Sequence, residues 1–378
     1  MLWVAASAFV LDVFALVALI AAFTWQVRVL RSLHAPPIAQ DVRPQSLHPV
    51  SVVLLLEDAD LAAEPTVASV LSQDFPELEL IVIDDRPGTG GEGASKRLAP
   101  DPRMKVLAGS SPPKGWARRP HSFFRGYRET KHPWVLFIDD SVVLKGKALR
   151  RLMGAAWWQQ ADLVTIVPGL TATGRWERIF MPFVAQLALL AFPARALEKS
   201  EPTAARSYGP FLLLQRSVYE AVRGHAAIRG EPLEDVALVR SIQHRGYKPL
   251  FLRGHDLAVI QTISSFPRMW QAVTTSFSSA LSSGRLRAIA VAALVLIVFA
   301  APWLLMFPAF LLLSWPISAS PWMGVIIAGA AHIGMSLTYR NLLNETLGID
   351  RSLVWLQPVA ALTAAAILVA SNLGPRSR

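Results

Sequence analysis

The chain has 378 residues, of which 53% are hydrophobic and 17% are charged, and its mean hydropathy is +0.38. This composition is too apolar for an ordinary soluble protein and predicts a membrane protein that carries one folded domain. The formal charge of +10 is explained by attraction to an anionic membrane surface, and no nucleic-acid motif accompanies it. The absence of cysteine excludes disulfides, cysteine zinc sites and thiol nucleophiles.

A membrane anchor is predicted over residues 1–27, where the sequence is apolar apart from Asp12 and a few small polar residues. The stretch is long enough to cross a bilayer, and no small-residue cleavage site follows it, so we interpret it as an anchor. Arg28 and Arg31 follow the anchor, whereas no lysine or arginine precedes it. The positive-inside rule therefore predicts an external N-terminus and a cytoplasmic linker over residues 28–48.

Residues 49–256 are predicted to form a cytoplasmic domain in which short apolar strands alternate with helices. This alternation is typical of the α/β class and indicates a mostly parallel, doubly wound sheet with Rossmann-like character. The predicted strands are 51–56, 78–83, 105–108, 134–138 and 163–167, and the predicted helices include 65–73 and 147–160.

Residues 179–192 form a mainly aliphatic, helix-like stretch that is too short to span a membrane comfortably. Two interpretations stay open. The stretch is either a core helix of the domain or a helix lying in the membrane interface with its cationic ends at the headgroups. Arg175, Arg178 and Arg195 flank it and favour the interface.

The C-terminal part of the chain returns to membrane character. An interfacial amphipathic segment over residues 257–287 is predicted to lead into a membrane region over 288–373 with about three helices, the second of them over residues 323–338. With the N-terminal anchor this gives about four transmembrane helices and a multi-pass protein of the inner, cytoplasmic membrane. Arg340 is assigned to a cytoplasmic loop. Because intramembrane charge is then nearly confined to Asp12, a transporter or channel is disfavoured.

Two predicted strands end in pairs of acids. Asp84 and Asp85 follow one buried strand, and Asp139 and Asp140 follow another. We expect the two strands to be adjacent and parallel, so that the four carboxylates face one crevice at the carboxyl edge of the sheet. Such carboxylates can accept hydrogen bonds from a ribose or a base, and Asp139 with Asp140 could hold Mg²⁺ or Mn²⁺. The alternative for either pair is a turn or a helix cap.

A third acid pair, Glu234 and Asp235, opens a predicted helix. Acids are favoured in a first helical turn by the helix dipole, which is the simpler account. The functional alternative is a general base that removes a proton from an incoming hydroxyl group.

A basic stretch begins at Lys114 and continues to Lys131. The default interpretation is a solvated cationic face. The sharper one is phosphate binding, because Arg118 or Arg119 could offer two parallel donors to a diphosphate. His121 is interpreted as structural, since no second ligand lies at metal-binding spacing.

Taken together, the order of these segments resembles the family 2 glycosyltransferases, and in particular the membrane-anchored branch that includes hopanoid-associated and ceramide-type glucosyltransferases. The resemblance covers nearly the whole chain. It is carried by the following segments: Ser51–Val53, Leu71–Glu79 with Asp84-Asp85, Pro112–Trp116, the strand before Asp139, Glu234-Asp235 and Ser265–Trp270.

The resemblance implies a GT-A fold that uses a nucleotide sugar, with UDP as the expected nucleotide, and usually a divalent cation. Asp84 and Asp85 would hold the uridine, Asp139 would be the first acid of the family's Asp-x-Asp motif, and Asp235 the catalytic base of its Glu-Asp motif. The reaction would be an inverting displacement onto a hydroxyl of a lipid or membrane-proximal acceptor, with Arg268 and Trp270 on the acceptor side.

The sequence departs from the family pattern at several points. Ser141 stands where the second acid of Asp-x-Asp is expected, and Arg118-Arg119 replaces a Gly-Lys pair. Of the Gln-x-x-Arg-Trp signature of processive relatives only Trp270 is present, which argues against a polymer-forming synthase. These departures leave a second hypothesis open, a degenerate relative that binds a nucleotide or a partner without transferring sugar.

Overall fold

The computed structural model describes residues 2–31, 42, 47–57, 63–86, 98–172, 174–190, 211–231, 233–261, 265–280, 285–313 and 320–373. The chain divides into two compact units. The helical unit comprises Met1–Leu30, Ala172–Ala191 and Ile263–Arg378, and the sheet unit comprises Arg31–Thr171 and Phe192–Thr262. Each is considered by itself.

The elements of both units follow in chain order. The strands are β1 (Val50–Leu56), β2 (Leu78–Asp84), β3 (Met104–Ala108), β4 (Trp134–Asp139), β5 (Val142–Leu144), β6 (Leu163–Thr171), β7 (Phe211–Gln215) and β8 (Pro249–Gln261). The helices are α1 (Leu2–Arg31), α2 (Ala63–Leu71), α3 (Arg118–Arg128), α4 (Ala148–Gln159), α5 (Arg175–Leu190), α6 (Arg216–Ala221), α7 (Gly224–Ala227), α8 (Glu234–His244), α9 (Phe266–Ala280), α10 (Arg285–Phe299), α11 (Ala301–Leu313), α12 (Ser320–Leu347) and α13 (Gln357–Leu373).

The strands form one mixed sheet in the order β3-β2-β1-β4-β7-β6-β8-β5. Four neighbouring pairs are parallel, namely β1–β2, β1–β4, β2–β3 and β6–β8, and three pairs are antiparallel. Every residue of β1 and β2 is buried, as expected for central strands covered by helices on both faces. The predicted α/β class with a mostly parallel sheet is confirmed.

Alternate residues of β1 point to opposite faces of the sheet. Val50, Val52, Leu54 and Leu56 pack with α2 and α4 on one face. Val53 and Leu55 pack with α3 and α8 on the other. A leucine as fully buried as Leu54 contributes about 1.5–3 kcal/mol. This two-sided burial fixes the register of β1, because a slip by one residue would exchange the two faces.

The expectation that the two acid-bearing strands are adjacent is wrong, because β1 lies between β2 and β4. Leu56 of β1 is paired with Asp84 and Leu55 is paired with Asp139. A chain that passes from β2 to β4 crosses β1, and strand order cannot be read from the apolar runs alone. The position between the acids is therefore taken by the residue that follows β1, Glu57.

Three strands of the sheet were not predicted. The three-residue β5 pairs antiparallel with β8 at the edge of the sheet. β7 inserts antiparallel between β4 and β6, and the 13-residue β8 pairs in parallel with β6 through a register shift next to Pro168. Because β8 continues to Gln261, the first residues of the predicted interfacial segment over 257–287 belong to the sheet. The helix α9 occupies the middle of that segment.

Within the residues that the structure describes, the helical unit contains three helices long and apolar enough to cross a membrane, or four if the pair α10 and α11, bent by 47°, counts as one span. The three are Trp3–Trp25, Trp322–Leu347 and Val354–Ser371. This agrees with the predicted number of about four. The orientation of the spans stays a prediction.

The helix α12 differs most from the prediction. It continues nine residues beyond the predicted end at Thr338, to Leu347, so that Arg340 lies inside the helix and is buried instead of lying in a loop. His332 and Ser336 are buried on α12 as well. The assignment of Arg340 to a loop is therefore wrong, and the candidate span Trp322–Leu347 contains this buried arginine.

The aliphatic stretch at 179–192 is described to Leu190 as part of α5, which is grouped with the helical unit and not with the sheet. Ile179, Phe180 and Phe183 are buried in the apolar cluster of that unit. The predicted domain over residues 49–256 is thus interrupted, because the apolar face of α5 packs against helices of the helical unit. Its placement in a membrane interface stays a prediction.

Asp12 lies on the inner face of α1, where it is fully buried within the helical unit between the small residues Ala8 and Ala15. Neither carboxylate oxygen has a hydrogen-bond partner among the described residues. A methyl group added at Gly329 of α12 would lie 3.6 Å from Asp12 Oδ2. The N-terminal anchor and α12 therefore meet at this carboxylate.

Candidate active site

The centre of the candidate site is Arg119, in the first turn of α3. Its Nε donates to Glu234 Oε1 at 2.7 Å, its Nη1 to Glu57 Oε2, and its Nη2 lies 3.4 Å from Asp139 Oδ2. Burial works to lower the pKa of Arg119, but the three carboxylates outweigh it and raise the pKa. One guanidinium therefore joins the ends of β1 and β4 to the start of α8.

Aromatic rings also pack against the guanidinium of Arg119. Its guanidinium carbon lies 5.6 Å from the centre of the Phe123 ring, and that ring stacks on the imidazole of His225 at 5.4 Å. Burial lowers the pKa of His225 to about 3, so the imidazole is neutral at physiological pH. A neutral ring next to a cation adds no repulsion, and the two rings limit the positions that Arg119 can adopt.

Glu57 is a site residue that the sequence analysis did not select. Burial, opposed by Arg119 and assisted by the charges of Asp139, Asp140 and Glu234, raises the pKa of Glu57 to about 7. A carboxyl group with a pKa near neutrality in a cleft of a sheet is a candidate functional group. The signal that could have identified it is its position directly after a fully buried central strand.

Asp139 lies at the end of β4, where both of its carboxylate oxygens are occupied. Ser141 donates to Oδ1 from its backbone nitrogen at 3.0 Å and from its hydroxyl at 2.5 Å, and Arg119 approaches Oδ2. Burial raises the pKa of Asp139, and Arg119 and Ser141 oppose that shift. The serine that replaces an expected acid thus acts as a hydrogen-bond donor to the remaining acid.

The residues predicted to bind a divalent cation do not converge on one. Asp140 Oδ2 accepts a hydrogen bond from the backbone nitrogen of Glu57 at 2.8 Å, while Asp139 is held by Ser141 and Arg119. Across the ranges that the structure describes, no group of three or more histidine, aspartate or glutamate side chains could hold a metal ion. The charge at the centre of the cluster is supplied by Arg119, and we assign no step of a reaction to a metal.

The two acids at the end of β2 are each paired with an arginine. Asp84 accepts two hydrogen bonds from Arg86, at 2.8 and 3.0 Å, and both side chains are buried. Asp85 accepts from Arg118 Nε at 2.8 Å and from the hydroxyl of Ser122 at 2.9 Å. About half of the Arg118 side chain is exposed, so this guanidinium is accessible while Asp85 holds it in place.

Glu234 and Asp235 diverge although they are adjacent. Glu234 is buried and bonded to Arg119, whereas Asp235 Oδ1 accepts from the backbone nitrogen of Val236 at 2.8 Å. Asp235 as a residue is half-buried. Glu234 is therefore the member of the predicted catalytic pair that bonds directly to Arg119.

The predicted acceptor-side residues lie in the helical unit. Trp270 is half-buried on α9, with its ring 6.0 Å from that of Phe266, and Arg268 is exposed on the same helix. They belong to a different compact unit from the Arg119 cluster. Their role on the acceptor side stays a prediction.

Comparison with known proteins gives the following similarities for the chain. A family model described as "Glycosyltransferase like family 2" matches residues 49–283. No curated protein sequence matches the chain significantly. Among solved structures, the chain is similar to the mannosyltransferase PcManGT from Pyrobaculum calidifontis in complex with GDP-Man and Mn²⁺, at 17% identity and a TM-score of 0.48 over 96% of this chain and 99% of that chain. At that level of similarity no residue role is transferred between the two proteins.

Proposed function

The chain belongs to the glycosyltransferase-like family 2, and from that premise we propose that its sheet unit moves a sugar from a nucleotide sugar to a hydroxyl group of a lipid or membrane-proximal acceptor. The observation that carries this proposal is the junction of Glu57, Asp139 and Glu234 at Arg119. Acids from three elements meet outside the carboxyl ends of central strands, which is where ligands bind in open α/β sheets.

In this proposal the donor lies along the ends of β1, β2 and β4. Asp85 accepts hydrogen bonds from the nucleoside, which we expect to be uridine, and Asp84 fixes Arg86 beside it. The exposed guanidinium of Arg118 and that of Arg119 contact the diphosphate, because a planar guanidinium can donate two parallel hydrogen bonds to phosphate oxygens.

The transfer is a single displacement. Asp235 accepts the proton of the acceptor hydroxyl, whose oxygen attacks the anomeric carbon on the face opposite the diphosphate. The bond between the anomeric carbon and the diphosphate oxygen breaks, the configuration inverts, and the arginines stabilise the negative charge that develops on the leaving group. The half-buried position of Asp235 in the first turn of α8 supports its role as a base that an acceptor can reach.

The acceptor is proposed to be presented at the surface of the inner membrane on its cytoplasmic side. The spanning helices of the helical unit support a membrane location. Arg28 and Arg31 directly after the first span support the cytoplasmic orientation of the residues that follow. Arg268 and Trp270 of α9 are the proposed contacts of the acceptor.

The proposal is tested by measuring transfer from a radiolabelled UDP-sugar to membrane lipids with purified full-length protein. We expect Asp235→Asn to lower kcat by about 10²–10⁴-fold, the usual contribution of general base catalysis, while UDP binds within twofold of wild type. Glu231→Gln, which removes an exposed acid three residues before the pair, is the matched control and should leave turnover unchanged. Unchanged turnover in Asp235→Asn would remove Asp235 from the mechanism.

A second candidate function, nucleotide binding without transfer, is favoured by Ser141 in place of an acid and by the pairing of Asp84 with Arg86. Calorimetric titration with UDP, with and without Mn²⁺, separates the two candidates. Turnover of the UDP-sugar supports the transferase, and stronger UDP binding with Mn²⁺ supports the predicted cation. Binding without turnover supports the second candidate, and no nucleotide binding contradicts both.

A further inference from the structure

Arg340 is buried in the helical unit, with 1% of its surface exposed. Its Nη1 donates to Gln357 Oε1 of α13 at 3.0 Å, and its Nη2 donates to the backbone oxygens of Ile179 and, at 3.3 Å, Arg178 on α5. One guanidinium thus links α12 to α5 and α13.

The contact with α5 has a local cause. Pro182 lies four residues after Arg178 inside α5 and has no backbone N–H, so the Arg178 carbonyl lacks the donor that a regular helix would supply. In a membrane-spanning bundle a freed carbonyl needs another donor. Arg340 provides it, which explains the hydrogen bonds of Arg340 but not its charge.

The charge of Arg340 has no counterion in the part of the chain that the structure describes. The three acceptors of Arg340 are neutral oxygens, and none of the ion pairs between described residues includes it. Its Nε is buried without an acceptor. A guanidinium stays protonated in proteins, and a buried charge without a partner is costly, so an anion from outside the described chain is expected here.

A second donor lies on the same face of α12. Ser336 is four residues before Arg340, one turn along the helix, and is fully buried. Its hydroxyl also lacks a partner among the described residues. Two neighbouring groups that can donate, one of them charged, match a ligand whose atoms only accept, such as the oxygens of a phosphate.

The position along the helix agrees with a lipid source for that phosphate. Arg340 lies seven residues, or about 10 Å, before the end of α12 at Leu347. Beyond that end, Asp350 forms an ion pair with Arg178, which marks a polar boundary of the unit. A long arginine side chain at this depth lies within reach of the headgroup region of a bilayer.

We propose that Arg340 and Ser336 bind the phosphate of an anionic membrane lipid between α5, α12 and α13. The lipid phosphate neutralises the guanidinium and accepts from Nε of Arg340 and from the hydroxyl of Ser336. The site lies wholly in the helical unit. It does not depend on the proposed sugar transfer, because binding is measured without a nucleotide sugar.

The test uses delipidated full-length protein in an uncharged detergent, with dioleoylphosphatidylglycerol as the probe. The dissociation constant is obtained from the shift of the thermal unfolding midpoint with lipid concentration, and native mass spectrometry counts the bound lipids. Dioleoylglycerol supplies the same chains without phosphate, and inorganic phosphate supplies the anion without chains. We expect one tightly bound phosphatidylglycerol and at least tenfold weaker binding of either comparison ligand.

Two variants connect the binding to the two donors. Ser336→Ala removes an unpartnered hydroxyl without breaking a described hydrogen bond, and should weaken phosphatidylglycerol binding about tenfold, or about 1.4 kcal/mol. Arg340→Gln should abolish the binding. Arg351→Gln, which removes an exposed arginine 11 residues further along, is the matched control and should bind as wild type.

Three results would overturn the proposal. The first is that Ser336→Ala binds phosphatidylglycerol as tightly as wild type. Because this variant breaks no described hydrogen bond, the result can be obtained even if Arg340→Gln fails to fold. Arg351→Gln could lose as much affinity as Ser336→Ala, which would indicate a general surface-charge effect. Dioleoylglycerol or inorganic phosphate could bind as tightly as the phospholipid, which would indicate an apolar site or a free-anion site respectively.

Discussion

Replacing Arg119 by glutamine tests whether the acids of the candidate active site depend on this one cation. The variant leaves Glu57, Asp139 and Glu234 without their shared partner. Removing one partner of a buried ion pair costs about 3–5 kcal/mol. The Arg119 side chain is 30% exposed, so we expect a smaller loss of unfolding free energy, about 2–3 kcal/mol. For a unit of this size that corresponds to a fall in Tm of roughly 4–12 °C.

The effect should depend on pH in a direction set by Glu57. Its pKa is raised from the ordinary 4.5 to about 7, so its contribution to stability is fully present below pH 4.5 and is lost as the pH rises through about 7. At pH 5 Glu57 is mostly protonated in the folded protein. The loss of Arg119 then leaves less repulsion between Glu57 and the carboxylates of Asp139 and Glu234 than it does at pH 8. The fall in Tm should therefore be larger at pH 8 than at pH 5.

The assay is thermal unfolding of the full-length protein in detergent, followed by tryptophan fluorescence at both pH values. Arg128→Gln removes an exposed arginine from the same helix and serves as the matched control. A Tm for Arg119→Gln that equals that of the control would refute the idea that Arg119 holds the acids together. An equal fall at pH 5 and pH 8 would refute the role given to Glu57.

Two further substitutions test the packing of the sheet unit. Gly126→Ala should lower the unfolding free energy by about 1–3 kcal/mol, because the new methyl group would lie 2.5 Å from side-chain carbons of Ile83 and Val53. The control is Gly334→Ala in α12 of the helical unit. Its new methyl group would have no atom within 4 Å, so the Tm should not fall. Ser51→Ala removes a 2.5 Å hydrogen bond to Glu79 and should cost about 1–2 kcal/mol at neutral pH. Burial works to raise the pKa of Glu79, but Ser51 and the backbone of Lys131 outweigh it and lower the pKa, so the difference from wild type should shrink as the pH falls. Thermal unfolding checks both substitutions, and an unchanged Tm in either would contradict the packing that is assigned to it.

The central strands could be predicted closely because they are continuous apolar runs with acids at their ends. β1 and β2 begin and end within one residue of the expected positions. The order of the strands could not be predicted, because a buried run does not specify its neighbours. The contribution of Glu57 was missed for that reason, since its position in the site follows from the placement of β1 between β2 and β4.

The membrane helices show a different cause of error. The predicted end of the span in α12, at Thr338, was too early, because Arg340 was assigned to a loop. His332, Ser336, Arg340 and Asn344 recur at intervals of four residues and are all buried on the helix. That interval is the signature of one helical face, so the signal for a longer helix with a polar inner side was present in the sequence.

The buried carboxylate of Asp12 has a consequence for how the chain is made. An aspartate near the middle of a helix that crosses a bilayer opposes insertion by about 2.5–3.5 kcal/mol, and Gly329 of α12, more than three hundred positions later, lies beside it in the folded protein. The first span therefore emerges from the ribosome long before its neighbour exists. While the sheet unit is translated, α1 must tolerate a polar group facing lipid or be shielded by the insertion machinery. A chain truncated before α12 should insert its N-terminal helix less stably in the bilayer. Membrane insertion of α1 would then be complete only after the last helices are synthesised.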